Sequence, residues 1–318
     1  MKIILLDTDT LGFDLDYSVY QKLGELETYR HTSQDQVIRR CKNAEVLISN
    51  KVQYTRDILQ SLPELKLICL TSTGTNTVDL DAAKDYNICV SNIKGYSTQS
   101  VVQLTFSMLF YLLVPMKGYD TYVKEGNYVN DTAFSHYTMT WHELSGQTLG
   151  IVGLGTIGQE VAKIASMFGC RLIYYSTSGK NNHSEYERVD FERLISESDI
   201  ISIHAPLTES THNLFHRDVF KKMKSSAILM NFGRGPIVNE DDLVEALNNK
   251  WISRAGIDVL EKEPMKDNHP IKQLIDSDQL IITPHIAWAS VESRNRMIHE
   301  VYQNIEAFYR GKPRNKVN

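Results

Sequence analysis

Short apolar runs alternate with helix-spaced apolar positions along the first hundred residues. Apolar runs at residues 2–6, 46–49, 65–70 and 88–91 predict strands. Between them, residues 34–41, 55–62 and 79–86 carry apolar side chains at helical spacing. Strands that alternate with helices predict a parallel sheet that is covered on both faces.

A second and larger region repeats this alternation. It is preceded by a long, nearly uncharged helix predicted at residues 98–114, which we expect Pro115 and Gly118 to end. Residues 119–143 have weak periodicity and predict a long irregular connection. Six strands are then predicted, at residues 149–152, 171–175, 200–204, 227–232, 255–259 and 280–283. Asp190 and Asn239 are placed to cap two of the intervening helices. Six strands with interleaved helices are typical of a complete doubly wound dinucleotide domain.

A final helix is predicted at residues 290–309, with Met297, Val301 and Ile305 on its apolar side. We expect it to cross back onto the first region; packing on the second region is the alternative. The predicted fold class is α/β, with two doubly wound parallel-sheet domains. A Rossmann cofactor domain spans residues 99–288, and a smaller flavodoxin-like substrate domain combines residues 1–98 with residues 289–318.

A glycine turn follows the first strand of the larger region. There the apolar run gives way to Gly153, Gly155 and Gly158, and helix-spaced apolar residues follow. In a strand–turn–helix context this G-x-G-x-x-G pattern favours dinucleotide binding, with the pyrophosphate at the helix N-terminus. The alternative is a glycine-rich turn in some other α/β protein.

Composition narrows the class of protein. The net charge of −5 gives no basic surplus for nucleic acid. No apolar stretch approaches the roughly 20 residues that span a bilayer, and residues 1–7 resemble a first strand rather than a signal peptide. Cys41, Cys69, Cys89 and Cys170 are scattered, without a C-x-x-C pair. They indicate buried, reduced thiols in a cytoplasmic protein, and no metal site is predicted.

Polar residues follow the predicted strands of the larger region, where ligands bind in open α/β sheets. They include Ser176, His204, Arg234, Asp258, Glu261, Glu263 and His285. Taken singly, each is typical of a solvated loop. Taken together they suit ketone reduction. A histidine supplies a proton, a carboxylate orients that histidine, and an arginine binds a substrate carboxylate.

Several segments together resemble the D-2-hydroxyacid dehydrogenases over essentially the full chain. They are residues 144–155, 204–208 (HAPLT), 231–235 (NFGRG) and 258–264 (DVLEKEP), in the order of that family. The resemblance implies that Arg234 binds substrate, Glu263 is the carboxylate partner and His285 is the acid/base. It implies cofactor contacts from Gly153, Gly155, Thr156, Ile157, Gly158, Ser176, Thr177, Lys180, His204, Pro206, Thr211, Asn231, Phe232, Gly233 and Asp258.

Within the family, the chain is most similar to the glycerate dehydrogenases, also called hydroxypyruvate reductases. Residues 73–76 (TGTN), 95–98 (GYST) and 283–290 (TPHIAWAS) carry this similarity. It implies substrate contacts from Thr73, Gly74, Thr75 and Trp288, and it implies a homodimer. Trp288 either narrows the substrate pocket or is an aromatic residue at a domain interface.

One departure from the family concerns the cofactor. NAD-preferring members usually have an aspartate after the second strand, where this chain has Ser176. A serine removes the charge that would repel a 2′-phosphate, and Lys180 can attract one. No arginine follows immediately, however, so mixed use of NAD and NADP is predicted.

The predicted function is hydride transfer between NAD(P)H and a short 2-keto acid, with hydroxypyruvate to D-glycerate as the first hypothesis. Lactate, 2-hydroxyisocaproate and glyoxylate chemistry are the alternatives within the family. A dinucleotide-sensing interaction protein on the same fold is the rival from another class. The expected partners are a small-molecule acid and a second copy of the chain, with no nucleic acid and no membrane.

Overall fold

A computed structural model describes residues 1–318, which form two compact units. Met1–Ser97 and Trp288–Asn318 make the first unit, and Thr98–Ala287 makes the second. The strands are β1 Lys2–Leu5, β2 Glu25–Thr28, β3 Val46–Ser49, β4 Leu67–Leu70, β5 Cys89–Ser91, β6 Thr148–Val152, β7 Arg171–Tyr175, β8 Glu187–Arg188, β9 Ile200–Ile203, β10 Ile228–Asn231, β11 Arg254–Ile257 and β12 Leu280–Ile282. The α-helices are α1 Val37–Cys41, α2 Arg56–Gln60, α3 Leu80–Asp85, α4 Thr98–Leu113, α5 Met116–Lys124, α6 Thr156–Met167, α7 Phe191–Glu197, α8 Arg217–Phe220, α9 Glu240–Asn248 and α10 Val291–Tyr309.

The first unit is built on a parallel sheet in the order β2-β1-β3-β4-β5. This is the flavodoxin-like strand order. Successive residues of a strand face opposite sides of a sheet, so Ile4 lies in one core, with residues of α1, α2 and α3, and Ile3 in the other. The second core contains Met297, Val301 and Ile305 of α10. The prediction that the final helix packs on the first region is therefore confirmed.

The C-terminal residues extend the edge of this sheet. Ser91 and Lys316 form an antiparallel bridge, and the N–H of Val317 donates to the carbonyl of Val90. The tail thereby satisfies backbone groups of β5 that an edge strand would otherwise leave open.

The second unit is built on a parallel sheet in the order β12-β11-β10-β9-β6-β7-β8. Helices α7, α8 and α9 contribute to the core on one face, and α4 and α6 to the core on the other. The order runs outward from β6 in both directions, so the ends of β6, β7 and β9 lie at a topological switch point. The predicted α/β fold class, with a Rossmann-type sheet and a smaller flavodoxin-like one, is confirmed.

The prediction was wrong in two strands and one helix. Strand β2 and strand β8 were missed, because both are edge strands with little buried apolar surface. The supposedly irregular segment begins with α5, directly after Pro115. Gly118 lies inside α5 rather than ending a helix. A β-carbon at this position would stand 2.4 Å from the sulfur of Met139, so Met139 packs closely against the helix backbone there.

No single helix is long and apolar enough to cross a membrane. Thr98–Leu113 and Met116–Lys124 reach the required length and composition only as a pair, and that pair is bent by 61°.

Candidate functional site

The glycine turn of the second unit joins β6 to α6. Gly153 has a φ of +90°, and a β-carbon there would stand 2.9 Å from the backbone of Ala205. A β-carbon on Gly158 would stand 2.4 Å from the carbonyl oxygen of Gly153. Only glycine fits either position. A β-carbon on Gly155 would meet nothing within 4 Å, so this part of the turn faces open space.

Helix α6 begins at Thr156 and Ile157, directly after this open position. Its first turn contains no acidic residue. The N-terminus of a twelve-residue helix carries free N–H groups and the positive end of the helix dipole. The turn and helix therefore form a surface suited to an anion.

The turn after β7 begins with Ser176. The hydroxyl oxygen of Ser176 is buried and has no hydrogen-bond partner. The N–H of Gly179 donates to the carbonyl of Ser176 over 3.1 Å, which closes a tight turn around the half-buried Thr177. Lys180 follows with an exposed side chain.

His204, at the end of β9, is the second place with an unsatisfied buried atom. Its Nε2 lies 2.8 Å from the hydroxyl of Ser202, and its Nδ1 is buried without a partner. The ring stacks on Phe232, with centroids 5.8 Å apart. Burial lowers the pKa of His204 to about 3, so this imidazole stays neutral.

Two of the predicted cofactor residues brace loops. The hydroxyl of Thr211 donates to the carbonyl of Pro206 over 2.8 Å and accepts from the N–H of Thr208 over 2.7 Å. The amide of Asn231 accepts from the N–H of Gly233 and donates to the carbonyl of Arg234, each over 3.0 Å. Both side chains fix the path of the backbone beyond a strand.

Arg234 lies in the loop braced by Asn231, and its side chain is exposed. One nitrogen, Nη1, donates to the carbonyl of Gly233 over 2.8 Å, and the side chain forms no ion pair. Gly235, next to it, packs so tightly that a β-carbon would stand 1.9 Å from the backbone of Leu260. The loop that presents Arg234 therefore lies directly against the segment that carries Glu263.

Asp258, at the end of β11, organises the turn that carries His285. Its Oδ1 accepts from the hydroxyl of Thr283 over 2.6 Å and from the N–H of Ile286 over 2.9 Å. Its Oδ2 accepts from the N–H of Ala287 over 3.0 Å, and its carbonyl accepts from the N–H of His285. Burial raises the pKa of Asp258, and the Thr283 hydroxyl and the two N–H groups counter that shift.

His285 and Glu263 form a hydrogen-bonded pair at this turn. The Nδ1 of His285 lies 2.7 Å from the Oε2 of Glu263. The other carboxylate oxygen accepts from the N–H of Leu260 over 3.0 Å. His285 has a φ of +55°, a conformation that non-glycine residues rarely adopt. The bonds from Asp258 hold the strained residue in place, as is common at functional sites.

A buried pair, Glu240 and His269, supports the segment that carries Glu263. Glu240 accepts from the N–H of Glu261 over 2.8 Å, and its other oxygen lies 2.9 Å from the Nε2 of His269. The Nδ1 of His269 accepts from the N–H of Ile271 over 3.4 Å, so Nε2 carries the proton. Sequence reasoning missed this pair, because nothing in the local pattern relates Glu240 to a loop 21 residues away.

The predicted substrate residues of the first unit lie in the loop after β4 and at the start of the C-terminal segment. The loop is tied down by the hydroxyl of Thr73, which donates to the carbonyl of Ile93 over 3.0 Å. The N–H groups of Gly74 and Thr75 donate to no protein group. Trp288 is half-buried and packs against Tyr96, with ring centroids 6.4 Å apart.

The second unit fits a dinucleotide by two observations of its own. The buried, unpartnered atoms of Ser176 and His204 stand at the ends of the strands on either side of β6. Buried polar atoms are normally hydrogen-bonded, so both atoms are free to bond a ligand. Between them, the position of Gly155 is an open cradle at a helix N-terminus.

Known proteins similar to this chain support these observations. A family model described as "D-isomer specific 2-hydroxyacid dehydrogenase, NAD binding domain" matches residues 106–287. The hydroxypyruvate reductase of Blautia hydrogenotrophica is 36% identical over 325 residues, covering 100% of both chains. The glycerate dehydrogenase of Methylorubrum extorquens is 35% identical over 99% of this chain and 98% of its own. An acyclic imino acid reductase in complex with NADPH and D-Arg superposes with a TM-score of 0.88 at 29% identity over 100% of both chains.

Proposed function

Because this chain belongs to the D-isomer specific 2-hydroxyacid dehydrogenases, we propose that it reduces hydroxypyruvate to D-glycerate with NADH or NADPH. The observation that carries the proposal is the Glu263–His285 pair at 2.7 Å. This pair stands at the carboxyl edge of the same sheet that bears the glycine turn. Proton-transfer chemistry and a dinucleotide surface therefore occur together in the second unit.

The roles of the chain's own residues follow from their bonds. A bound nicotinamide supplies the hydride. A carboxylate only accepts hydrogen bonds, so Nδ1 of His285 carries the proton donated to Glu263. The remaining nitrogen, Nε2, is the atom that donates a proton to the carbonyl oxygen of the substrate. The exposed guanidinium of Arg234 binds the substrate carboxylate in a bidentate manner and polarises the neighbouring carbonyl.

Further binding roles are proposed for the loops. The pyrophosphate binds at Gly155, Thr156 and the first turn of α6, where the cradle is open. Thr211, Asn231 and the residues around them act mainly by shaping the loops that contact the dinucleotide. In the first unit, we assign substrate contacts to the unpartnered N–H groups of Gly74 and Thr75, because backbone nests bind anions. A further substrate contact of this unit is assigned to Trp288, which packs against Tyr96.

A homodimer is proposed from the surface of the second unit. A groove of about 290 Å³ is lined mainly by apolar residues that include Phe110, Trp141 and Phe168. Met116, Val129 and Phe134 are also exposed nearby in the sequence. Sedimentation velocity should give twice the monomer mass, and a monomer at micromolar concentration would contradict the proposal. The four free cysteines, all buried, support action in the cytoplasm.

The test of the main proposal follows NAD(P)H absorbance with hydroxypyruvate, glyoxylate, pyruvate and 2-ketoisocaproate. Hydroxypyruvate should give the highest kcat/KM, and chiral analysis should find D-glycerate. Both cofactors should support turnover; an NADH preference above about a thousandfold in kcat/KM, some 4 kcal/mol, would refute mixed use.

The role of His285 is tested separately. His285→Ala should lower kcat by about a hundredfold or more, as expected for loss of a general acid. His299→Ala is the matched control, because this histidine is exposed on α10 and bonds only to Gln303. If His285→Ala kept kcat within a few fold of the parent, the assignment would be wrong.

A further inference from the structure

Strand β8 brings an arginine to the turn that follows β7. Tyr174 of β7 is paired in register with Arg188 of β8. A β-carbon added to Gly179 would stand 3.9 Å from the Nη2 of Arg188. The guanidinium therefore lies beside Gly179 in the turn after β7, although eight residues separate Gly179 from Arg188 in the chain.

The side chain of Arg188 is a free cation. It is exposed and forms no hydrogen bond or ion pair. The other two arginines of this region are neutralised, because Arg171 pairs with Glu187 and Glu197, and Arg193 pairs with the same two carboxylates. Lys180 is exposed and unpaired as well. Two unpaired positive charges therefore flank one turn.

The turn also contains a buried group that needs a partner. Ser176 is 5% exposed, and its hydroxyl oxygen makes no hydrogen bond. Tyr174 faces the side of the sheet that is covered by α6, and Ser176 follows two residues later, directly after the end of β7. Arg188, in register with Tyr174, faces that side too. The Arg188 side chain is therefore on the α6 side of the sheet, and its guanidinium lies beside the turn that begins with Ser176.

We propose that Arg188, with Lys180 and Ser176, forms a subsite for the 2′-phosphate of NADPH. The inference rests on the proposed use of a nicotinamide dinucleotide and names the residue that decides which one. A phosphate monoester carries close to two negative charges and accepts bidentate bonds from arginine. Without an acidic residue at position 176, nothing there holds the ribose hydroxyl of NADH in preference.

The test measures binding of two cofactor fragments that contain no nicotinamide. Isothermal titration calorimetry compares 2′,5′-ADP, which has the 2′-phosphate, with 5′-AMP, which lacks it. The parent protein should bind 2′,5′-ADP at least tenfold more tightly, a difference of about 1.4 kcal/mol. The affinity for 2′,5′-ADP should fall more steeply with salt concentration than the affinity for 5′-AMP, because salt screens the contacts between the phosphate and the cationic side chains.

Substitutions assign the preference to one residue. Arg188→Ala should reduce the ratio of the two affinities about tenfold, and Arg188→Lys should retain part of it. Arg193→Ala is the matched control, because Arg193 is a half-buried, ion-paired arginine of the same region. It should keep the parent ratio. Circular dichroism verifies that each variant is folded.

Two results would overturn the subsite: equal binding of both fragments by the parent, or an Arg188→Ala ratio within threefold of the parent. These results are independent of turnover. A protein that reduced no 2-keto acid and yet bound 2′,5′-ADP through Arg188 would refute the proposed function and leave the subsite intact.

Discussion

Replacement of Thr283 by valine tests whether Asp258 holds the turn of His285. The substitution keeps the shape of the side chain and removes one hydroxyl. That hydroxyl donates to the buried carboxylate of Asp258 over 2.6 Å, and the two N–H bonds from Ile286 and Ala287 remain. The perturbation is thus a single hydrogen bond to a charged acceptor.

The magnitude follows from the charge. A hydrogen bond to an ionised group contributes about 1.5–3 kcal/mol. Burial already raises the pKa of Asp258, and the Thr283 bond is the largest influence that lowers it. Loss of the bond should raise the pKa of Asp258 further, because one of the groups that favours the charged carboxylate is gone. The difference in free energy of unfolding between the parent and Thr283→Val is largest while Asp258 is charged. It becomes smaller as the pH falls and the carboxyl is protonated.

Loss of the Thr283 hydroxyl should also lower kcat, because the same turn holds His285 at a φ of +55°. If a loss of about 2 kcal/mol in the turn is added in full to the activation free energy, kcat falls by about thirtyfold. Urea denaturation at pH 8 and at pH 4, close to the usual aspartate value of 3.8 above which the pKa of Asp258 lies, measures the stability. Steady-state kinetics measures kcat. Thr105→Val is the control, since that buried hydroxyl donates to a neutral carbonyl and its loss should not depend on pH. A loss of stability that is equal at both pH values would refute the argument.

Three further changes test other parts of the molecule. Gly158→Ala should weaken NADH binding at least tenfold in calorimetry, because the added β-carbon would stand 2.4 Å from the carbonyl oxygen of Gly153; unchanged binding would mean that the turn tolerates separation of strand and helix. Glu240→Gln, with one acceptor fewer, should lower thermal stability by about 1–3 kcal/mol and lower kcat with little change in KM; a change in KM alone would contradict its positioning role. Burial raises the pKa of Asp7 from 3.8 to about 6, so the folded state binds this proton more tightly than the unfolded state does. The contribution of Asp7 to the free energy of unfolding therefore falls by about 3 kcal/mol as the pH rises from 3.8 to 6. Asp7→Asn should remove that decline, and its stability relative to the parent should therefore rise from pH 4 to pH 7; a constant difference in urea denaturation would refute the assignment.

The buried strands were predictable from the sequence because both of their faces are covered. Strands β3, β4, β9 and β10 consist almost wholly of buried residues, and such strands appear as continuous apolar runs. Strand β2, with the sequence ELET, is an edge strand and is only half-buried. Its place in the sheet depends on hydrogen bonds to β1, which leave no mark in the pattern of apolar residues.

The candidate site divides in the same way. The glycine turn has a sequence pattern because its spacing is local, and the motif resemblance pointed to Arg234, Glu263 and His285. Asp258 follows β11, and residues 283–287, which it supports, follow β12. This contact could not be predicted from the sequence, because the pattern of residues does not show that the two strands are neighbours. Arg188 was missed for a related reason, since it lies on the short β8 strand that the sequence did not reveal.

The interrupted first unit has a consequence for synthesis on the ribosome. Ile3 and Leu5 emerge early, yet their face of the sheet is covered by Met297 and Val301 of α10. The whole of Thr98–Ala287 is translated in between, which takes about 10–40 s at typical elongation rates of roughly 5–20 residues per second. Through that interval the nascent N-terminal sheet must stay unfolded, or fold with one apolar face bare. The internal unit can fold first, and the N-terminal unit completes its core only after α10 has been translated. Chaperones that shield apolar surface are therefore needed most during the interval before α10 is made.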